Sequence, residues 1–185
     1  MGSVAIVGDG PGGLSAALFL AKNGHRAVVY GDDKTAIHFA LLNNYLGITE
    51  VPGPEFQADA RAQVQALGAE LIATRVTSIA ATDEGFALEL EDGSSEHFDY
   101  VILSEGRSPV LARALGLAEA PDGSIAVDGD FRSSLQGVYV IGRSVRPKRS
   151  QAIISAGAGA TAALDILSEL AGEDVQDWDS PPKEG

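Results

Sequence analysis

With 185 residues, 45% of them apolar, the chain can bury one large core and reads as an ordinary globular protein rather than a disordered or fibrous one. Its 26 Asp and Glu outnumber 13 Lys and Arg, and the net charge of −13 argues against nucleic acid or an anionic membrane as partner. The absence of cysteine excludes disulfides, thiolate metal sites and dithiol redox chemistry within the chain.

Residues 3–7 are short, apolar and β-branched and run into Gly8-Asp-Gly-Pro-Gly-Gly, followed by an Ala- and Leu-rich helical stretch at 14–22. Asn23-Gly24 stops that helix, and residues 27–30 resume as a second buried strand, completing a βαβ unit. Helical spacing of Phe56, Ala60, Val64 and Leu67 predicts a helix over 56–67, capped by Gly68. The period then changes: 76–81, 86–91 and 96–98, joined by turns at Asp83-Glu84-Gly85 and Asp92-Gly93, predict a three-stranded antiparallel meander. Short buried strands are expected at 100–103, 125–127 and 138–141, and a long helix at 153–171 with a small-residue stretch over 155–161. Residues 173–185, acidic and carrying Pro181-Pro182, read as a tail behind a domain of 1–172.

No run reaches the ~18 apolar residues of a membrane span, and the first residues lack the basic flank and apolar stretch of a signal peptide. A cytoplasmic location follows as the expectation. The scarcity of Lys, four in all, with the excess of acid, favours a halophilic protein from high-salt cytoplasm over the alternative of an ordinary acidic one.

Gly8-x-Gly10-x-x-Gly13, after a strand and opening a helix, is the dinucleotide fingerprint in its required context. Gly8 permits the tight turn, Gly10 lets the backbone approach a pyrophosphate, and Gly13 lets helix and strand pack closely. The helix N-terminus supplies amides and positive dipole, so the anion needs no cationic side chain there. An acid at the end of the second strand should hold the ribose; that strand ends Tyr30-Gly31-Asp32-Asp33, which makes Asp32 the nearest candidate. No Arg or Lys is read at that strand end to favour a ribose phosphate. Arg146, Lys148 and Arg149 form the one basic cluster visible in the sequence.

Four stretches together carry a resemblance: Gly8 to Ala17, Asn44 to Gly47, Gly137 to Gly142 and Gln151 to Gly157. In this order they resemble the FAD domain of the thioredoxin reductase-like, pyridine nucleotide-disulfide oxidoreductase family. The resemblance implies an α/β, Rossmann-like FAD-binding fold with a central parallel sheet, helices and the antiparallel meander. It implies FAD held by Gly8, Gly10, Pro11, Gly12 and Gly13, by Asp32 and Asn44, and by Gly106, Gly142, Arg143, Gln151, Ala152 and Ile153. His38, Asn43 and Tyr45 would pass along the flavin ring, and the helix opened by Gln151 would face the flavin pyrimidine. No catalytic side chain and no metal ligand is assigned.

The departures from the family are specific. Its members insert an NADPH domain with a second glycine fingerprint and a Cys-x-x-Cys; here the two halves of the FAD domain join directly near 106–117. The family's Ala-Thr-Gly reads Ser104-Glu105-Gly106, and its Gly-Asp reads Gly142-Arg143. The expected function is a small FAD-dependent oxidoreductase served by an external electron donor or acceptor, a ferredoxin or another redox protein. The alternatives are a non-catalytic FAD- or ADP-binding sensor or subunit, and an NAD-dependent dehydrogenase. A homodimer is expected, both from the resemblance and because the Gly- and Ala-rich face of 155–163 permits close packing.

Overall fold

The structure, a computed structural model, describes residues 1–181. The chain opens with β1 (Ser3–Val7), α1 (Pro11–Lys22) and β2 (Arg26–Tyr30). Two-residue strands β3 (Leu41–Leu42) and β4 (Val51–Pro52) precede α2 (Gly53–Ala66) and β5 (Glu70–Ile72). The meander follows as β6 (Val76–Thr82), β7 (Gly85–Leu90) and β8 (Ser95–Phe98), and the chain ends with β9 (Tyr100–Leu103), α3 (Val110–Ala114), β10 (Val138–Val140) and α4 (Ala152–Ala171).

Five parallel strands form one sheet in the order β10-β9-β1-β2-β5. Because successive side chains on a strand point to opposite faces, each buried strand feeds two cores. Val4, Ile6, Ala27, Val29, Ile102 and Tyr139 join α1 and α4 on one face. Ala5, Val28, Tyr30, Val101, Leu103, Val138 and Val140 meet Phe86, Leu88 and Phe98 of the antiparallel meander on the other. The result is three layers, helices, parallel sheet and meander, as the sequence reading expected. Tyr139 Oη donates to Asp165 Oδ2 at 2.6 Å, and Arg132 Nε reaches the same oxygen at 2.6 Å, tying the sheet edge to α4.

Several expectations are corrected. Residues 125–127 are not a strand: Ile125 makes a single bridge to Glu119, because the Asp122-Gly123 turn directs its N–H to Ser144 O and that of Ala126 to Ala118 O. Helix α1 starts at Pro11 rather than Leu14, with Gly10 as its N-cap and Pro suited to the first turn. The short β5 and α3 carry too few residues for a period to be read.

At 20 residues α4 is, by length and mean hydropathy, long and apolar enough to cross a bilayer, although Asp165 and Glu169 interrupt its apolar run. Its face of Ala156, Ala158, Gly159, Ala162 and Ala163 is nevertheless buried in the core beside α1. That small-residue face is therefore used within the chain, and a second copy would have to dock elsewhere. Of the tail, Val175 packs on the core and Lys22 Nζ pairs with Asp177 at 3.0 Å. Pro182 and the residues after it lie outside the described residues.

Candidate functional site

β1 is the point where the sheet changes its direction of growth, since β2 pairs on one side of it and β9 on the other. Loops leaving the carboxyl ends of strands diverge at such a point and open a crevice. A cavity of about 830 Å³ lies there, lined by Val7 and Gly8 at the end of β1, Tyr30 and Gly31 at the end of β2, Ser104 and Glu105 after β9, and Gly142 and Arg143 after β10. This volume is in the range of small-molecule sites.

The glycine loop is built by close backbone contact. A Cβ at Gly8, whose φ is +108°, would lie 2.2 Å from Ser104 O, and one at Gly13 would lie 1.9 Å from Gly8 O. Gly10 precedes α1 with φ −75° and ψ −179°, a β-region backbone, and α1 leaves the amides of Gly12 and Gly13 without partners inside the helix. Unpartnered amides and a helix dipole at such a terminus favour an anion.

Of the residues singled out by sequence, Gly8, Gly10, Pro11, Gly12, Asp32, Gly106, Gly142 and Arg143 line the cavity. Gly13 lies beneath it, packed on Gly8. Asn44 and Gln151 are brought together, with Asn44 Nδ2 donating to Gln151 Oε1 at 3.3 Å. Gln151, Ala152 and Ile153 cap and begin α4 just outside the cavity wall, while Ser150 and Ser155 on either side of them line it. His38 Nε2 lies 3.1 Å from Asp33 Oδ1.

The charge distribution differs from the sequence reading. Lys34, Arg75, Arg107 and Arg143 all line the cavity, so the basic cluster that matters is assembled from four separate segments. Lys34 closes on Asp32 at 2.7 Å and lowers its pKa from the ordinary value. Arg146, Lys148 and Arg149 are exposed, whereas Arg143 is half-buried in the wall.

One buried group escaped the sequence reading although it lies inside the fingerprint. Asp9 accepts from Arg61 Nη1 at 2.6 Å and from the Asp33 amide at 3.0 Å. The fully buried Gln57 donates to the Asp9 carbonyl at 2.7 Å, so α2 clamps the phosphate loop through two side chains.

Glu105 replaces a family Thr for a visible reason. Its carboxylate accepts the amides of Leu111 at 2.7 Å and Ala112 at 3.0 Å and caps the short α3. Burial pushes its pKa up, against the smaller opposite pull of those amides and Arg113. With the folded pKa above the ordinary 4.5, the unfolded chain ionises first as pH rises, so this group costs stability progressively above about pH 4.5. Melting curves of Glu105→Gln and the parent chain should therefore lie closest at pH 4, with the variant gaining relative to the parent toward pH 8. A difference that is constant with pH would show that Glu105 ionises normally.

Residues 46–160 match the family described as pyridine nucleotide-disulphide oxidoreductase. The chain belongs to this family. Among curated relatives, a thioredoxin reductase of Peptoclostridium litorale is 29% identical over 147 residues, which cover 75% of this chain and 46% of that protein. The chain thus spans about half the length of that family member. A thioredoxin reductase from Gloeobacter violaceus superposes with a TM-score of 0.88 at 16% identity, over 97% of this chain and 99% of that one. A ferredoxin-flavin thioredoxin reductase from Clostridium acetobutylicum gives 0.80 at 18% identity, over 92% and 98%. At these identities the structural likeness establishes the family fold.

Proposed function

We propose that this chain is an FAD-binding redox module that exchanges electrons with an external donor or acceptor rather than with NADPH held in a second domain of its own. The observation that carries this is the single cavity at the carboxyl ends of β1, β2, β9 and β10, which joins the glycine loop to the start of α4. The fit to FAD is supported by the cradle of Gly8, Gly10 and Gly12 and by the cationic wall.

In this reading the amides of Gly12 and Gly13 bind the pyrophosphate, and Arg143 adds planar donors to phosphate or ribityl oxygens where an acid would have accepted. Gln151 orients the start of α4, whose dipole favours negative charge at that end. A bound flavin supplies the electron transfer; the protein supplies position and field. The region between β9 and β10 contains no second glycine fingerprint, and without cysteine a dithiol acceptor would lie outside these 185 residues. The Clostridium protein of similar fold is named a ferredoxin-flavin thioredoxin reductase, which supports a small redox protein as the donor. A docked, non-catalytic subunit is the second reading, favoured by Arg143 in place of the family's acid.

The test is the visible spectrum of the purified chain followed by anaerobic addition of NADH, NADPH and reduced ferredoxin. We expect a flavin spectrum, slow reduction by either nicotinamide and faster reduction by the protein donor. Reduction by NADPH at rates of ordinary turnover, ~10 s⁻¹, would overturn the external-donor assignment.

A further inference from the structure

We infer that Asp9, between the first two glycines of the phosphate loop, is the carboxylate that reads the ribose hydroxyls of an adenine dinucleotide in this chain, replacing an acid at the end of β2. The inference rests on the nucleotide reading above and adds which residue recognises the sugar.

Dinucleotide folds place this acid at the end of the second strand, about 20 residues beyond the loop. Here that position is Gly31. A Cβ built on Gly31 would stand 2.5 Å from Asp9 Cγ and 2.7 Å from its Oδ1. The Asp9 carboxylate therefore occupies the space in which a side chain at 31 would begin, and a side chain there would have to displace it. The substitution pattern reads as a relocation of the acid from strand to loop.

The carboxylate is also prepared for a ligand. Asp9 is only 5% exposed and lines the cavity. Oδ2 takes the bonds from Arg61 and the Asp33 amide, and Oδ1 has no hydrogen-bond partner among the described residues. An unpartnered carboxylate oxygen that faces a cavity from an otherwise buried residue gains from a donor, and ribose hydroxyls are donors. Asp32, the other acid at this end of the cavity, is exposed and closed on Lys34.

The experiment is calorimetric titration of the full chain, freed of flavin, with ADP and with 2′,3′-dideoxy-ADP. The parent chain should prefer ADP by about tenfold or more, as for a hydrogen bond to a charged group. Asp9→Asn should remove most of that preference. Gly31→Ala should reduce it too, because the new Cβ pushes the carboxylate aside without removing its charge; this arm decides the matter if Asp9→Asn does not fold. Equal affinity of the parent for both nucleotides overturns the inference and leaves the nucleotide reading intact, as does loss of the preference in Asp32→Asn alone. Failure of the parent chain to bind either ADP or FAD overturns the nucleotide reading itself.

Discussion

Gly159→Ala is expected to lower stability by about 3 kcal/mol or more, a drop of roughly 6–12 °C in Tm for a chain of this size. The added Cβ would lie 2.0 Å from Gly12 O, 2.9 Å from Gly12 C and 3.0 Å from Ala16 N. All three are backbone atoms of α1, so no rotamer change relieves the contact and the two helices must separate. Separation opens the core that Ala16, Leu20, Ala162 and Ile166 share with the sheet. It also displaces Gly12, which belongs to the phosphate loop, so flavin affinity should fall with stability. Gly157→Ala in the same helix is the control: its Cβ meets nothing within 4 Å, and Ala in a helix interior is preferred to Gly by about 0.5–1 kcal/mol. The two alanines should thus shift Tm in opposite directions. Equal shifts would mean that α1 and α4 are not packed this closely.

Gly10→Glu should have the reverse profile, an intact fold and no flavin. Gly10 has φ −75° and ψ −179°, which any residue adopts. The nearest atom to its added Cβ is Thr35 Oγ1 at 3.1 Å, a side-chain atom that can yield a few tenths of an ångström. The new carboxylate would then enter the cavity beside the free amides of Gly12 and Gly13, occupy the anion site itself and repel a pyrophosphate. We expect colourless protein, at least about 100-fold weaker FAD binding and a melting temperature close to the parent's. Yellow protein with full flavin content would remove the loop from the site.

What was legible in the sequence has a common physical character: it depends on neighbours along the chain. Strand, glycine turn and helix at 3–22 follow from β-branched residues, Gly conformational freedom and an Ala-rich run, and the dinucleotide loop is a property of that short stretch. The meander at 76–98 follows from period-two alternation between turn residues. The order of the matching stretches and the directly joined halves likewise needed no coordinates. Two-residue strands, β5 and α3 were not legible because so few residues define no period, and 125–127 has the composition of a strand but spends the N–H groups of Ile125 and Ala126 on Ser144 and Ala118 instead of on a ladder.

The site's charges were decided by tertiary structure alone. Lys34, Arg75, Arg107 and Arg143 are dispersed over more than a hundred positions and meet only because four loops leave the same end of the sheet. Sequence reading placed the ribose acid at Asp32 because strand-end position was its guide, and Asp32 does line the cavity. Folding also puts the Asp9 carboxylate against Gly31, with Arg61 of α2 to neutralise it, a contact no local pattern announces. The small residues of α4 were read as a face for a second copy, and part of that face packs on α1 instead, since composition records that close approach is allowed but not to what. The sequence by itself therefore determined the layered fold and the anion loop, which arise from local conformational preference and hydrophobic period. Which helix fills the groove of α4, and which carboxylate stands beside the loop, were settled by steric contacts between residues far apart in the chain.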